Sequence, residues 1–127
     1  MWDLSNAFPH VATFQGHTDV IYSVSISSDS KVAASASCDK TVRVWDLQSR
    51  SALRVLMGHT DWIWSVAIAP NMKYIMSSSK DKKIRVWDFD SDKLLHVLEG
   101  HQSGVNTVAI SPDSSFAISG ARDRVWE

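Results

Sequence analysis

The sequence predicts an all-β protein made of one antiparallel unit repeated three times. Gly-His recurs at 16–17, 58–59 and 100–101, a strict spacing of 42 residues. Trp-Asp recurs at 45–46 and 87–88 with the same spacing, and Trp126-Glu127 follows in the third copy. Between Gly58 and Asp88 the runs 62–69, 74–79 and 84–87 alternate apolar with polar residues. They are rich in Val, Ile, Trp and Tyr, which marks strands rather than helix. A fixed period of roughly 20–50 residues is the signature of a repeat architecture.

Taken in order, each copy contributes four strands. A short strand precedes each Gly-His, at 10–15, 52–57 and 94–98. The strand after Gly-His falls at 21–27, 63–69 and 105–111. The next falls at 32–37, 74–79 and 116–121, and the last at 41–46, 83–89 and a short 124–126. Ser28-Asp29-Ser30, Pro70-Asn71-Met72 and Pro112-Asp113-Ser114 supply the turns between the second and third strands. Strands joined by such short turns form antiparallel meanders. Trp2-Asp3 reads as the tail of a preceding copy. Trp2 stands 14 residues before Gly16, against 13 from Trp45 to Gly58 and from Trp87 to Gly100. No helix, linker or low-complexity tract is expected.

The totals bound the function classes. A chain of 127 residues is the length of a single domain, and 44% apolar residues suffice for a core. A net charge of −1 gives no electrostatic case for nucleic acid or an anionic membrane. Cys38 is the single cysteine, so no internal disulfide forms; this fits a reducing compartment. No apolar run approaches the ~18 residues of a membrane span. The opening MWDLSNAFPH has neither the basic start nor the apolar core of a secretory signal.

Gly-His at the front, Ser-x-Ser-x-Asp in the middle and Trp-Asp at the end make the chain resemble the WD-repeat β-propeller family over about residues 10–127. The resemblance implies a single WD-repeat domain over 1–127, with repeats at 10–46, 52–88 and 94–127. It implies three four-stranded antiparallel blades, the last incomplete. The strand before each Gly-His becomes the outermost strand of a blade, and the next three strands begin the following blade. It also implies a non-catalytic interaction platform, sited in cytoplasm or nucleus. Such a platform holds a protein or peptide on the face around the central channel and needs no cofactor.

Ser, His and Asp together invite a catalytic reading. The recurring sets are His17, Ser35, Asp39 and Trp45, then His59, Ser77, Asp81 and Trp87, then His101, Ser119 and Asp123 with Trp126 in doubt. A nucleophile is normally unique and set beside an oxyanion hole. Three copies point instead to a structural tetrad. In it Asp orients His, His bonds Ser, and Ser or His meets the indole N–H. Metal binding is not expected either, because His10, His17, His59, His96 and His101 form no pair at ligand spacing with one another or with cysteine. The basic run Lys80, Lys82, Lys83 and Arg85 is echoed by Lys40 and Arg43 and by Arg122 and Arg124. It reads as a solvated face, with attraction of an acidic partner as the sharper alternative.

The aromatic residues carry the partner-binding expectation. Trp62 and Trp64 straddle the start of the second strand in copy two. Tyr22 matches Trp64 in copy one, while Gly104 and Asn106 fill the two positions in copy three. In the resembling family this region borders the channel mouth, as do the residues before each tetrad Asp: Cys38, Lys80 and Arg122. The candidate partner residues are therefore Tyr22, Trp62, Trp64, Lys80, Asn106 and Arg122. The bland alternative is that one Trp packs between blades.

The pattern breaks in two places. Asp39 to Trp45 and Asp81 to Trp87 are six residues apart, but Asp123 to Trp126 is three. An odd deletion in a strand reverses its faces, so the third blade is short of a proper strand or re-registered. Propellers also close with roughly 4–8 blades, so three leave two blade faces and a sheet edge uncovered. Two copies exchanging strand 10–15 would give a six-bladed homo-oligomer. A partial or engineered propeller whose function belongs to a longer assembly is an alternative. So is a propeller enzyme or metal site, although no unique acids or histidines gather around the channel.

Overall fold

A computed structural model describes residues 13–122. Ten strands and no helix occur among the described residues. The first sheet runs in chain order through β1 (Ile21–Ile26), β2 (Val32–Ser37), β3 (Thr41–Asp46) and β4 (Ser51–Met57). The second repeats it with β5 (Ile63–Ile68), β6 (Tyr74–Ser79), β7 (Ile84–Asp88) and β8 (Leu94–Leu98). The third is a pair, β9 (Val105–Ile110) and β10 (Ala117–Ala121). All neighbouring strands are antiparallel. These are propeller blades in an unclosed series. The expected strand at 124–126 lies outside the described residues, as do Asp123 and Trp126.

One expected strand is corrected. Residues 13–15 of the segment 10–15 belong to no strand, and 10–12 lie outside the described residues. β4 and β8 each pair with the last strand of the copy before them. Among the described residues, positions 13–15 have no such strand ahead of them. Phe14 instead meets Trp45 edge to face, with ring centroids 5.6 Å apart. Elsewhere the strands end within a residue or so of the expected bounds; Phe116, Lys83 and Phe89 fall just outside them.

The sheets stack face to face, β5 lying against β1 and β2, and β9 against β5 and β6. Between the first two sheets Ala34, Ala36, Val42 and Val44 join Val66, Ile68, Ile75 and Phe89 in one buried cluster. Met76, Ile84, Val105 and Val108 form the next. Alanines on β2 leave room for the branched side chains of β5 in the space between the sheets. β5 is an edge strand, and its N–H groups that point away from β6 need partners. The hydroxyl of Ser23 accepts from Val66 N–H at 3.4 Å and that of Ser25 from Ile68 N–H at 3.1 Å. Ser65 does the same for Val108 at 3.4 Å.

Arg54 joins the two sheets at their outer end. It reaches from β4 to the turn after β7 and donates to the carbonyls of Phe89 and, at 3.1 Å, Asp90. Its guanidinium pairs with Asp92 at 2.6 Å and lies 5.6 Å over the Phe89 ring. An arginine fork with this many partners adds direction to what hydrophobic burial alone leaves loose.

The hairpin turns close with a residue in the left-handed region. Lys40 has φ 70° and Lys82 φ 71°. Their N–H groups donate back to Ser37 O at 3.3 Å and Ser79 O at 3.2 Å. A side chain costs roughly 1–2 kcal/mol there, and glycine avoids that cost while losing about 0.5–1 kcal/mol in chain entropy. Lys40→Gly and Lys82→Gly should each therefore stabilise the fold by about 0.5–1 kcal/mol. The check is the chemical-denaturation midpoint; a lower midpoint would show that the lysine side chains hold the turns.

Candidate functional site

The first two copies each fold their four spaced residues into one hydrogen-bonded chain. His17 Nδ1 lies 2.8 Å from Asp39 Oδ2, and its Nε2 lies 2.6 Å from Ser35 Oγ. The Trp45 indole N–H donates to Ser35 Oγ at 2.8 Å. In the second copy the distances for His59, Asp81, Ser77 and Trp87 are 2.8, 2.7 and 3.2 Å in the same order. An indole nitrogen only donates and a carboxylate only accepts, so the serine oxygen accepts from the indole, and a neutral imidazole whose Nδ1–H faces the aspartate takes the serine O–H at Nε2. The proton of the imidazole then sits on Nδ1 and is given to the aspartate. In the third copy His101 Nε2 lies 2.8 Å from Ser119 Oγ. The fourth-strand end of that tetrad lies outside the described residues.

This order of Ser, His and Asp matches a hydrolytic triad only in connectivity. Ser35 and Ser77 are buried, and an indole N–H occupies a lone pair of each Oγ. Each of these oxygens is already committed to an indole and an imidazole. The glycine ahead of each histidine is part of the same packing. A Cβ on Gly16 would come 2.9 Å from both Trp45 and Arg43. Gly58 has φ +151°, and a Cβ there would lie 3.2 Å from Trp87. Gly-His and Trp-Asp therefore recur together because the glycine leaves the space into which the indole packs.

Arg85 is a correction to the basic run as a solvated face. It is buried, and its Nη1 donates to Asp81 Oδ2 at 2.9 Å. It shares its strand face with Trp87, two residues on, and so points into the tetrad rather than to water. In copy one Thr41 Oγ1 meets Asp39 Oδ1 at 2.5 Å instead. Burial works against the Asp39 charge, but bonds from Thr41, His17 and the Thr18 N–H outweigh it and lower the pKa to about 2. Asp81 is likewise held below the carboxylate range, against its burial, by His59 and by the N–H groups of Thr60 and Lys83. Burial lowers the His59 pKa, with Arg85 adding to it and Asp81 opposing. Burial thus favours the neutral form of His59.

The candidate partner residues gather where the sheets begin. The pairing of β1 with β2 slips by one residue at Tyr22, that of β5 with β6 at Trp64, and that of β9 with β10 at Asn106. A bulge re-aims the side chain it carries. Each aromatic side chain leans towards the next sheet. Tyr22 lies 6.4 Å from the Trp62 ring, and Trp64 lies so close to Gly104 that a Cβ there would come 2.6 Å from it. Lys80 Nζ stands 4.7 Å over the exposed Trp62 ring. Arg122 is exposed in the turn after β10, and Cys38 is buried. Trp62, Tyr22 and Lys80 thus form one patch, while Trp64 is half-buried against the third sheet.

The tetrads generate two expectations. Ser77→Ala should cost about 1–3 kcal/mol in thermal or urea denaturation, because it strands His59 Nε2 and the Trp87 N–H. Acid should also weaken the fold in two steps. The unfolded chain takes up a proton on His59 near the usual 6.5, which the fold resists. The unfolded state thus binds more protons, and stability falls as pH drops below about 6.5 towards the lower folded value. The Asp39 contribution is present above the ordinary 3.8 and is lost as pH falls through about 2. His59→Gln should flatten the first step in melting temperature measured against pH. An unchanged slope would place the titrating group elsewhere.

Comparison with known proteins agrees with this geometry. The family model for the WD domain, G-beta repeat, matches residues 8–46, 50–88 and 92–126. WD repeat-containing protein 18 of Bos taurus is 43% identical over 47 residues, covering 37% of this chain and 11% of that protein. Small ribosomal subunit protein RACK1 of Candida albicans is 46% identical over 37 residues, 29% of this chain and 12% of that protein. Nuclear distribution protein PAC1 of Candida tropicalis is 40% identical over 55 residues, 42% of this chain and 11% of that protein. The matched stretches span about a tenth of the length of these curated relatives. With three matched repeats and two complete tetrads, the chain belongs to the WD-repeat family.

Proposed function

We propose that this chain is a non-catalytic interaction platform that holds a protein or peptide on the rim where its inner strands begin. One observation supports this above the others: Trp62 stays exposed while Tyr22 and Lys80 stand against its ring. Large aromatics beside a cation favour a partner with an aromatic or carboxylate anchor. Trp64, Asn106 and Arg122 extend the same surface. The tetrads serve the fold rather than a reaction, and no cofactor or nucleic acid enters this reading. An intracellular setting, cytoplasmic or nuclear, belongs to the proposal. The lone thiol and the ribosomal and nuclear names of the relatives support it. The surface is completed when two copies close a six-bladed ring, within the usual range of roughly 4–8 blades.

A random peptide library displayed on phage and selected on the purified chain tests the platform. Truncating a binding hot spot commonly costs about 2 kcal/mol, or roughly thirtyfold in Kd. Recovered peptides should lose about that much affinity against Trp62→Ala with Trp64→Ala, while the variant keeps its fold by circular dichroism. Peptides that bind the double variant unchanged, or a library that yields none, would overturn the proposed rim.

A further inference from the structure

Trp62 is 40% exposed, yet its backbone is held by three hydrogen bonds. Asp61 Oδ1 accepts its N–H at 2.8 Å. Its carbonyl accepts from Ser79 Oγ at 2.7 Å and from the Lys80 N–H at 2.9 Å. Ser79 is fully buried, so the ring is tied to the core of the second sheet. An aromatic held this firmly loses little entropy on binding, which suits it to anchor a partner. The Lys80 bond also sets that side chain beside the ring, with Nζ 4.7 Å over its centroid. The Tyr22 ring stands 6.4 Å away, tilted by 42°. Two rings at that angle leave a wedge rather than a closed stack.

Charge around this wedge is uneven. Lys40, Lys80, Lys82 and Arg122 are exposed on the turns at this end of the sheets. Against them stand Asp19 and Asp61, each of which accepts the N–H of the next residue. The other acids of this end are engaged. Asp39 and Asp81 are committed to the tetrads, and Glu99 pairs with Lys83 at 3.1 Å. An excess of exposed cations attracts carboxylates and repels basic segments.

We propose that the rim takes an acidic peptide in extended form, with an aromatic or aliphatic side chain in the wedge between Tyr22 and Trp62 and a carboxylate on Lys80. The inference rests on the platform reading above and adds the partner's chemistry and spacing. In an extended chain, side chains two residues apart share a face and lie about 6.6 Å apart. That step is commensurate with the distance from the wedge to the Lys80 ammonium, so the motif is an apolar residue and an acid separated by one position. Lys80 is the residue that determines specificity. Its ammonium leaves the ring for the carboxylate at little cost, because an exposed cation–π contact and an exposed ion pair are of similar strength. The same ammonium lies over the ring where a nucleotide base would have to stack. With a net charge of −1, this favours peptide over nucleic acid.

Phage selection on the unaltered chain, on Lys80→Met and on Lys80→Arg tests it. Lys80 is exposed, so both variants should keep their circular dichroism spectra. Peptides from the unaltered chain and from Lys80→Arg should carry an acid two residues from an aromatic or aliphatic side chain. Peptides from Lys80→Met should keep the apolar residue and lose the acid. Replacing the acid of a recovered peptide by its amide should weaken binding to the unaltered chain by about threefold to fivefold, and to Lys80→Met not at all. Peptides that need Trp62 but show no acidic preference, or an acidic preference that survives Lys80→Met, would leave the platform standing and overturn the acidic partner. A library without any peptide that needs Trp62 would overturn the platform reading itself. Tighter binding of a fluorescein-labelled oligothymidylate than of any recovered peptide would put nucleic acid in the peptide's place and overturn the proposal.

Discussion

The fold depends on a serine hydroxyl held between an indole and an imidazole. Ser77 Oγ, buried on β6, receives the Trp87 N–H from β7 and gives its proton to His59 in the segment leading to β5. Two pieces of chain, 10 and 18 residues from that serine, are thereby fixed to its strand with one oxygen. Such a network is stabilising only when every member is satisfied, because a stranded buried group costs more than one bond returns. The aspartate completes it by taking the Nδ1 proton and two backbone N–H groups, so its charge is met without an imidazolium. Arg85 supplies the counter-charge in copy two. Copy one reaches the same end with the hydroxyl of Thr41. Two solutions to one electrostatic demand show that the demand, rather than any one partner, shapes the site.

Packing between sheets follows a different rule. Each sheet buries its face on the next through a small set of contacts that recur every 42 residues, the serine-to-N–H bonds among them. Stability in such a series is close to a sum over sheets and their nearest-neighbour interfaces. The second sheet, covered on both sides, is the most buried; β1 and β10 keep apolar side chains in solvent. Arg54 strengthens the first interface at its outer rim. His96 occupies the equivalent place on β8 and lines a cavity shared with Ile110 and Phe116. The outer end of the second interface is therefore less filled than that of the first.

Much of this was legible in the sequence because the period is long and strict. Gly-His and Trp-Asp at 42 marked out the strand order, and the Ser and Asp between them marked the members of the tetrad; which ring nitrogen faces which oxygen, and that Ser rather than His takes the indole N–H, came from the structure. Period-two alternation also held the information that Arg85 shares a face with Trp87. A run of charges obscured it, since Lys80, Lys82 and Lys83 on either side of the turn do remain largely outside. The bulges at Tyr22, Trp64 and Asn106 were not legible, because a bulge is set by how two strands pair rather than by one strand's composition. The Arg54 clamp was hidden for a similar reason. Its partners lie 35 and more residues away, in a turn whose carbonyls carry no side-chain signal.

The bulges explain why the rim can vary while the tetrads stay fixed. An extra residue in the inner strand is left out of the ladder, so its side chain is free of the alternation that commits its neighbours to a buried face. Ile21 and Ser23, Ile63 and Ser65, and Val105 and Thr107 flank the bulges and keep the register on either side. The bulged position itself holds tyrosine, tryptophan and asparagine in the three copies, and none of these alters the pairing that follows. The tetrad draws its serine from the middle strand and its indole from the next, so it is anchored away from that slip. Chemistry presented at the rim and the network that holds each sheet thus rest on separate residues of the same repeat. A side chain at positions 22, 64 and 106 can change character at little expense to the buried hydrogen bonds beneath it.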